Sequence, residues 1–273
     1  MTNQLTNTRI GFIGAGNMAG AIARGLVKKG HPASNIIMSN LTQDKLDEVS
    51  EELGVLTTLD NQELCDQADI VLLAVKPQVM KNALADVDFS SVDCVISVAA
   101  GLPISKLTEF THQQTAVVRS MPNTPSLELC GATGLFADSN VKDKFGAITE
   151  YIFGAIGEFE WIASEDLMDT VTALSGSSPA YFFRFMEGLI SAGIEQGMPE
   201  DVARNLVVQS ALGAATLIKN HPDVAISTRR EQVTSPKGTT AAALDSLENS
   251  GIAKMTKDAV DAAVNRGKEL AND

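Results

Sequence analysis

Residues 9 to 20 read Arg-Ile-Gly-Phe-Ile-Gly-Ala-Gly-Asn-Met-Ala-Gly. An apolar run from Arg9 to Ile13 enters a turn at Gly14, Ala15 and Gly16. Asn17, Met18 and Ala19 then open a small-residue pattern of helical period that reaches Lys29. Strand, tight turn and helix in that order expose bare backbone N–H groups at a helix N-terminus, where the dipole favours an anion. Gly14 permits the turn, Gly16 lets a pyrophosphate approach the backbone, and Ala19 lets helix and strand pack closely. The six residues Gly14 to Ala19 therefore form the expected cradle of a dinucleotide.

The end of the next apolar segment bears on which dinucleotide. An Asp or Glu there usually binds a free ribose 2′-hydroxyl. Here the segment ends Ser39-Asn40-Leu41-Thr42, and Asp44 comes only later, inside a helical pattern. A carboxylate would repel a 2′-phosphate, whereas Ser39, Asn40 and Thr42 can donate to one. NADPH is therefore the expected cofactor, with NADH weaker, although the only nearby cation is Lys45 and no arginine is present.

Ligands of open parallel sheets bind beyond the carboxyl ends of the strands. The segments that follow further apolar runs are Ala74-Val75-Lys76-Pro77-Gln78, Ser97-Val98-Ala99-Ala100-Gly101 and Arg119-Ser120-Met121-Pro122-Asn123-Thr124-Pro125. Ala99, Ala100, Gly101, Met121, Pro122 and Asn123 are accordingly assigned to the cofactor. Two later segments, residues 173–181 and 233–240, are equally rich in small residues, proline and hydroxyls, and each alone reads equally well as a loop obeying turn chemistry. Lys76 could reach a phosphate or ribose, or be a solvated lysine. His31, His112 and His221 all read as surface positions, so no imidazole base is expected.

These segments need a scaffold. The first half alternates strands (35–40, 55–59, 70–75, 94–98 and 116–120) with helices (42–53, 61–68 and 104–110). Ile70 to Val75 is continuously apolar, as in a strand buried on both faces. Such alternation predicts an α/β fold with a doubly wound, Rossmann-type, mostly parallel sheet. Character changes near Ser164. No strand pattern follows Trp161-Ile162, and Ser178-Pro179 reads as an N-cap with proline at the first helical position. The predicted domains are 1–163, which binds the dinucleotide, and 164–273, all-helical, for dimerisation and substrate. Two long helices, 178–197 and 199–220, are apolar on more than one face. Either another subunit covers them or neighbouring helices of the same chain do.

The 273 residues carry a formal net charge of −13, which argues against a nucleic-acid surface. No apolar run is long enough to span a membrane, and the polar, uncharged first eight residues do not read as a signal peptide. Cys65, Cys94 and Cys130 lack metal-binding spacing and read as buried, reduced thiols, so no metal and a cytoplasmic location are expected.

Taken in order, Ala-Val-Lys-Pro-Gln at 74–78, Met-Pro-Asn-Thr-Pro at 121–125, Ser-Gly-Ser-Ser-Pro-Ala-Tyr at 175–181 and Thr-Ser-Pro-Lys-Gly-Thr-Thr at 234–240 join the glycine-rich turn. From about Arg9 to Leu270 the chain resembles the pyrroline-5-carboxylate reductases. Ser178 and Lys237 depart from it, each standing where many members carry glycine. The resemblance implies NADPH-dependent hydride transfer to the imine of 1-pyrroline-5-carboxylate, giving L-proline, the last step of proline biosynthesis. It implies that the Thr240 hydroxyl hydrogen-bonds the imine nitrogen and that the Thr239 and Thr240 amides hold the substrate carboxylate. Ser235, Gly238, Ser177 and Pro179 complete the implied substrate site, and Ala74, Val75, Lys76, Pro77 and Asn61 join the implied cofactor site. Read as residues alone, Thr239-Thr240 and Asn61 would equally suit helix starts. The resemblance also implies a homodimer, with five dimers in a ring. A β-hydroxyacid dehydrogenase would share this layout, but it needs a lysine in the helix after Gly176, and 179–187 offers only Arg184. A redox-sensing regulator would not need the 234–240 segment.

Overall fold

The computed structural model describes residues 5–270. Its contacts divide the chain into two compact units: one runs up to Pro179 and resumes at Ala263, and the other is Ala180–Ala262.

The first unit is built on an eight-stranded sheet of order β3-β2-β1-β4-β5-β6-β7-β8. The strands are β1 (Ile10–Ile13), β2 (Ile36–Ser39), β3 (Leu56–Thr58), β4 (Ile70–Leu73), β5 (Cys94–Ser97), β6 (Ala116–Met121), β7 (Gly131–Phe136) and β8 (Gly157–Trp161). Pairing is parallel throughout except between β6 and β7. The order reverses at the β1/β4 pair, where such sheets open a crevice at their carboxyl ends.

The helices of the same half are α1 (Asn17–Lys28), α2 (Gln43–Leu53), α3 (Asn61–Gln67), α4 (Pro77–Leu84), α5 (Ile104–Phe110) and α6 (Ser139–Phe153). Alternate strand residues point to opposite faces, so the unit has two apolar cores. Ile10, Phe12, Ile70, Leu72 and Ile96 meet Ile22 and Leu26 of α1 and Ile152 and Phe153 of α6. Ile13, Val71, Leu73 and Val95 meet Leu64 of α3, Met80 and Leu84 of α4 and Leu107 of α5. Every residue of β1, β4 and β5 is buried, which accounts for their unbroken apolar character. Each such large side chain, fully buried, contributes roughly 1.5–3 kcal/mol.

A further helical run starts with a 3₁₀ turn, Glu165–Leu167, and α7 (Met168–Val171), and then passes through a π turn, Thr172–Gly176. Next come α8 (Ser178–Glu195), α9 (Glu200–Lys219), α10 (Ile226–Gln232), α11 (Thr239–Asn249) and α12 (Ile252–Leu270). Among the described residues α8 buries no residue and α9 only Ala203. Phe182, Phe183, Leu206 and Leu212 are each more than half exposed. The chain's own neighbours therefore do not cover these helices. Among the described residues no helix is long and apolar enough to cross a membrane.

Two expectations are corrected. Cys65 and Cys94 are buried, and burial pushes each thiol up to about 12. Cys130, just after the left-handed Leu129, is exposed. His31 is not a surface residue: it is 2% exposed, with Nδ1 3.3 Å from the Tyr151 hydroxyl. The chain turns back at Gly30, and the His31 amide bonds the Leu26 carbonyl, which tucks the ring against α6.

Candidate active site

At the β1–α1 turn the Gly14 amide donates to the Ser39 carbonyl at 2.9 Å. Gly14 has φ +104°, and a β-carbon there would lie 2.9 Å from the Ala74 carbonyl oxygen. Gly16 differs. Its φ of −80° suits any residue, and a β-carbon would meet no atom of the described residues within 4 Å. Neither backbone nor packing demands glycine at 16, and the space above it is open. Gly16 is the N-cap of α1, and no side chain among the described residues caps it. The first intrahelical bond runs from the Gly20 amide to the Gly16 carbonyl. The amides of Asn17, Met18 and Ala19 thus stand at an open helix N-terminus free of acidic residues. Ala15 and Met18 are half-buried, Asn17 is exposed, and Ala19 is fully buried in the core. These residues fit a pyrophosphate.

The end of β2 is arranged otherwise than expected. Ser39 is fully buried and donates its hydroxyl proton to Asn61 Oδ1 at 2.6 Å, so that proton does not face a 2′-phosphate. Asn61 Nδ2 donates to the Ala83 carbonyl of α4 at 3.0 Å. Asn61 is no cap either, because Asp60 fills that role by accepting from the Gln62 amide at 2.8 Å. The Ser39–Asn61–Ala83 chain ties β2, α3 and α4 together. Asn40 and Thr42 remain as polar donors, with Asn40 Nδ2 3.1 Å from Thr42 Oγ1. Lys45 pairs with Glu48 at 2.7 Å, one helical turn along.

Beyond β4, Ala74 and Val75 are half-buried, and exposed Lys76 is the N-cap residue of α4, with Pro77 at its first turn. Beyond β5, the Ser97 hydroxyl accepts from the Ala99 amide at 3.2 Å, and Ser120 donates to the Ser97 carbonyl at 2.8 Å. Gly101 has φ +76°; it and Ala99 are buried, with Ala100 half-buried between them. Beyond β6, Met121 is half-buried and Pro122 and Asn123 are buried. Asn123 Nδ2 donates to the Ser175 carbonyl at 3.0 Å, and its Oδ1 accepts from the Ala132 amide at 2.9 Å.

Ser178 is not an N-cap. The helical path already begins at Met168 and continues through the π turn, closed by the Ser177 amide on the Thr172 carbonyl at 2.7 Å. Pro179 has no N–H to offer the Ser175 carbonyl one turn back, and Asn123 supplies the missing donor. Ser177 and Pro179 are half-buried just beyond this turn.

In the second unit, α11 begins with Gly238 as N-cap and Thr239 and Thr240 as its first two residues. Neither threonine is the cap, and no side-chain cap exists among the described residues. The Ala242 amide makes the first intrahelical bond, to the Gly238 carbonyl. Gly238 donates to the Ser235 carbonyl at 3.0 Å, and a β-carbon at Gly238 would lie 2.4 Å from the Ser235 hydroxyl. Lys237 holds φ +60°, a left-handed state costing a non-glycine residue roughly 1–2 kcal/mol. Thr239 is exposed and Thr240 half-buried. Two amides and two hydroxyls with no acidic residue in the first turn can hold a carboxylate.

Comparison with known proteins agrees with this chemistry. Residues 165–270 match the family described as pyrroline-5-carboxylate reductase dimerisation. Residues 9–101 match the family described as NADP oxidoreductase coenzyme F420-dependent. The chain is 43% identical over 266 residues to a pyrroline-5-carboxylate reductase of Pasteurella multocida, covering 95% of this chain and 96% of that one. It is similar to the solved structure of a pyrroline-5-carboxylate reductase from Coxiella burnetii, with TM-score 0.89, 39% identity and coverage of 97% and 99%. The pyrroline carboxylate reductase of Plasmodium falciparum, solved with NADP bound, gives TM-score 0.85, 30% identity and coverage of 97% and 98%. A near-full-length relationship of this kind decides against the β-hydroxyacid dehydrogenase reading. The chain belongs to the pyrroline-5-carboxylate reductase family.

Proposed function

We propose that the chain reduces 1-pyrroline-5-carboxylate to L-proline with NADPH held at the β1–α1 turn and substrate held at the start of α11. The reaction follows from family membership. The observation that carries the site assignment is the pair of open, acid-free helix N-termini, one preceded by Gly16 and the other by Gly238.

The cofactor, when bound, supplies the hydride. Gly14 to Ala19 would hold its pyrophosphate, with Asn40 and Thr42 beside the 2′-phosphate. Residues 74–77, 99–101 and 121–123 would line its remaining length along the carboxyl edge of the sheet. Asn61 and Ser39 act behind this edge, by fixing the end of β2. At the substrate, the Thr239 and Thr240 amides hold the carboxylate, and Ser235 and Gly238 shape the turn that presents them. Ser177 and Pro179 border the ring. As the imine carbon gains hydride, the C=N π bond breaks and its electron pair becomes a lone pair on nitrogen. The Thr240 hydroxyl would donate a hydrogen bond to that nitrogen, whose new proton comes from solvent water. An imine so bonded accepts hydride readily, so no imidazole base is required.

The exposed apolar faces of α8 and α9 support a homodimer formed through the helical region 164–273, and the resemblance implies five such dimers in a ring. Leaving such surfaces wet costs roughly 25 cal/mol per Å², and one symmetric patch removes that cost. A dinucleotide-binding domain of 1–163 and a cytoplasmic location complete the reading.

The Thr240→Ala variant tests it. Turnover should fall about 10²–10³-fold, as for loss of a donor aimed at developing charge, while NADPH affinity by fluorescence titration stays near wild type. Unchanged turnover would remove Thr240 from the mechanism.

A further inference from the structure

Glu165 lies outside every motif described above, yet its Oε1 accepts two hydrogen bonds. Arg119 Nη1 donates to it at 2.7 Å, and so does the Ile104 backbone amide, also at 2.7 Å. Arg119 is 8% exposed and sits on β6 in register with Ser97 of β5. Ile104 opens α5, whose N-cap is Pro103 with no side-chain cap of its own. Glu165 therefore supplies, from 61 residues away, the acceptor that α5 lacks locally. It also neutralises a guanidinium that burial would otherwise leave unpaired.

The segment that Glu165 begins runs through α7 and the π turn to Ser175, where Asn123 makes a second tie. Two pins thus hold residues 165–177 to the carboxyl ends of β5 and β6. The first pin reaches Ile104, three residues past the Ala99–Gly101 turn, and the second holds Ser175, at the head of the Ser175–Pro179 segment. We infer that Glu165 is a positioning residue: its contacts with Arg119 and the Ile104 amide fix the loop after β5 against the Ser175–Pro179 segment. The inference rests on the proposed reading that the first of these borders the cofactor and the second the substrate. Misplacement of such elements lowers turnover rather than affinity, by as much as about 10²-fold per ångström.

The test uses the full-length enzyme with Glu165→Gln and the double variant Arg119→Met/Glu165→Met. The double variant removes the charge pair without leaving either charge alone and frees only the Ile104 amide, so its melting temperature should fall by no more than a few degrees. Its kcat should fall about 10- to 100-fold, with KM for pyrroline-5-carboxylate and Kd for NADPH within about threefold. Hydrogen exchange at the Ile104 amide should quicken about tenfold or more, without cofactor present. Glu165→Gln keeps an acceptor for that amide and should retain more of both its protection and the turnover. A double variant with wild-type kcat would overturn the inference, as would a loss confined to NADPH affinity or an unaltered Ile104 exchange rate. Wild-type protein that failed to oxidise NADPH with this substrate would instead defeat the reading beneath it, and the exchange measurement would still judge the Glu165–Ile104 bond.

Discussion

Asn123 completes the helix that Pro179 interrupts, by donating its amide proton to the Ser175 carbonyl at 3.0 Å. The same side chain accepts from the Ala132 amide at 2.9 Å, so both its ends are used. An Asn123→Ala substitution strands a carbonyl and an amide together. Each group left without a partner costs about 1–3 kcal/mol when buried. Urea denaturation of the variant should show a lower midpoint with little change in slope. A midpoint equal to wild type would mean that solvent satisfies both groups and that the π turn needs no support.

Two glycines two residues apart should respond oppositely to alanine. At Gly14 the left-handed φ and the nearby Ala74 carbonyl make a β-carbon costly, and Gly14→Ala should lower the melting temperature. At Gly16 the backbone is extended and the space open, so Gly16→Ala should melt near wild type yet weaken NADPH binding tenfold or more. Loss of melting temperature in Gly16→Ala would show that packing, not a ligand, selects glycine there.

NADPH should be used in preference to NADH. With Ser39 turned inward to Asn61, discrimination falls to Asn40, Thr42 and the absence of a carboxylate. Asn40→Asp should shift the ratio of kcat/KM toward NADH, because the new charge repels a 2′-phosphate and can accept from a 2′-hydroxyl. A wild type equally efficient with both cofactors would contradict this assignment.

Burial holds the His31 imidazole below its ordinary value. A base whose folded pKa is depressed binds its proton more readily when unfolded, so its contribution is whole above the unfolded value of about 6.5 and is lost as pH falls. Melting temperature should therefore decline from pH 7 to pH 5, and more shallowly in His31→Gln. Parallel profiles for the two proteins would show that His31 binds its proton equally well folded and unfolded, so that burial does not depress it.

Strands β1, β4 and β5 were legible because both faces are buried, which leaves no polar residue to blur the apolar run. Helix α5 was legible too, at Ile104–Phe110. Helix α4 leaves a faint pattern despite the start signal of Pro77 at its first turn, because only two of its eight residues, Met80 and Leu84, are buried. The sequence shows Ser178-Pro179 as a start signal, but a proline also sits within a helical path when a π turn precedes it and another side chain serves the freed carbonyl. That side chain, Asn123, lies 52 residues earlier. The inward turn of Ser39, the burial of His31 and the Glu165–Ile104 bond likewise depend on partners far along the chain, which no local pattern announces. The open amides at Gly16 and Gly238 were readable because glycine, small residues and missing carboxylates are local features.

If this chain makes proline by reducing a cyclic imine, the two products of the reaction must appear together. Purified wild-type protein should be mixed with NADPH and 1-pyrroline-5-carboxylate, with absorbance followed at about 340 nm and proline quantified in parallel. NADPH should be consumed only when the imine is present, with one proline formed for each NADPH oxidised. No imine-dependent oxidation, or oxidation without proline, would mean that the chain is not a pyrroline-5-carboxylate reductase in activity.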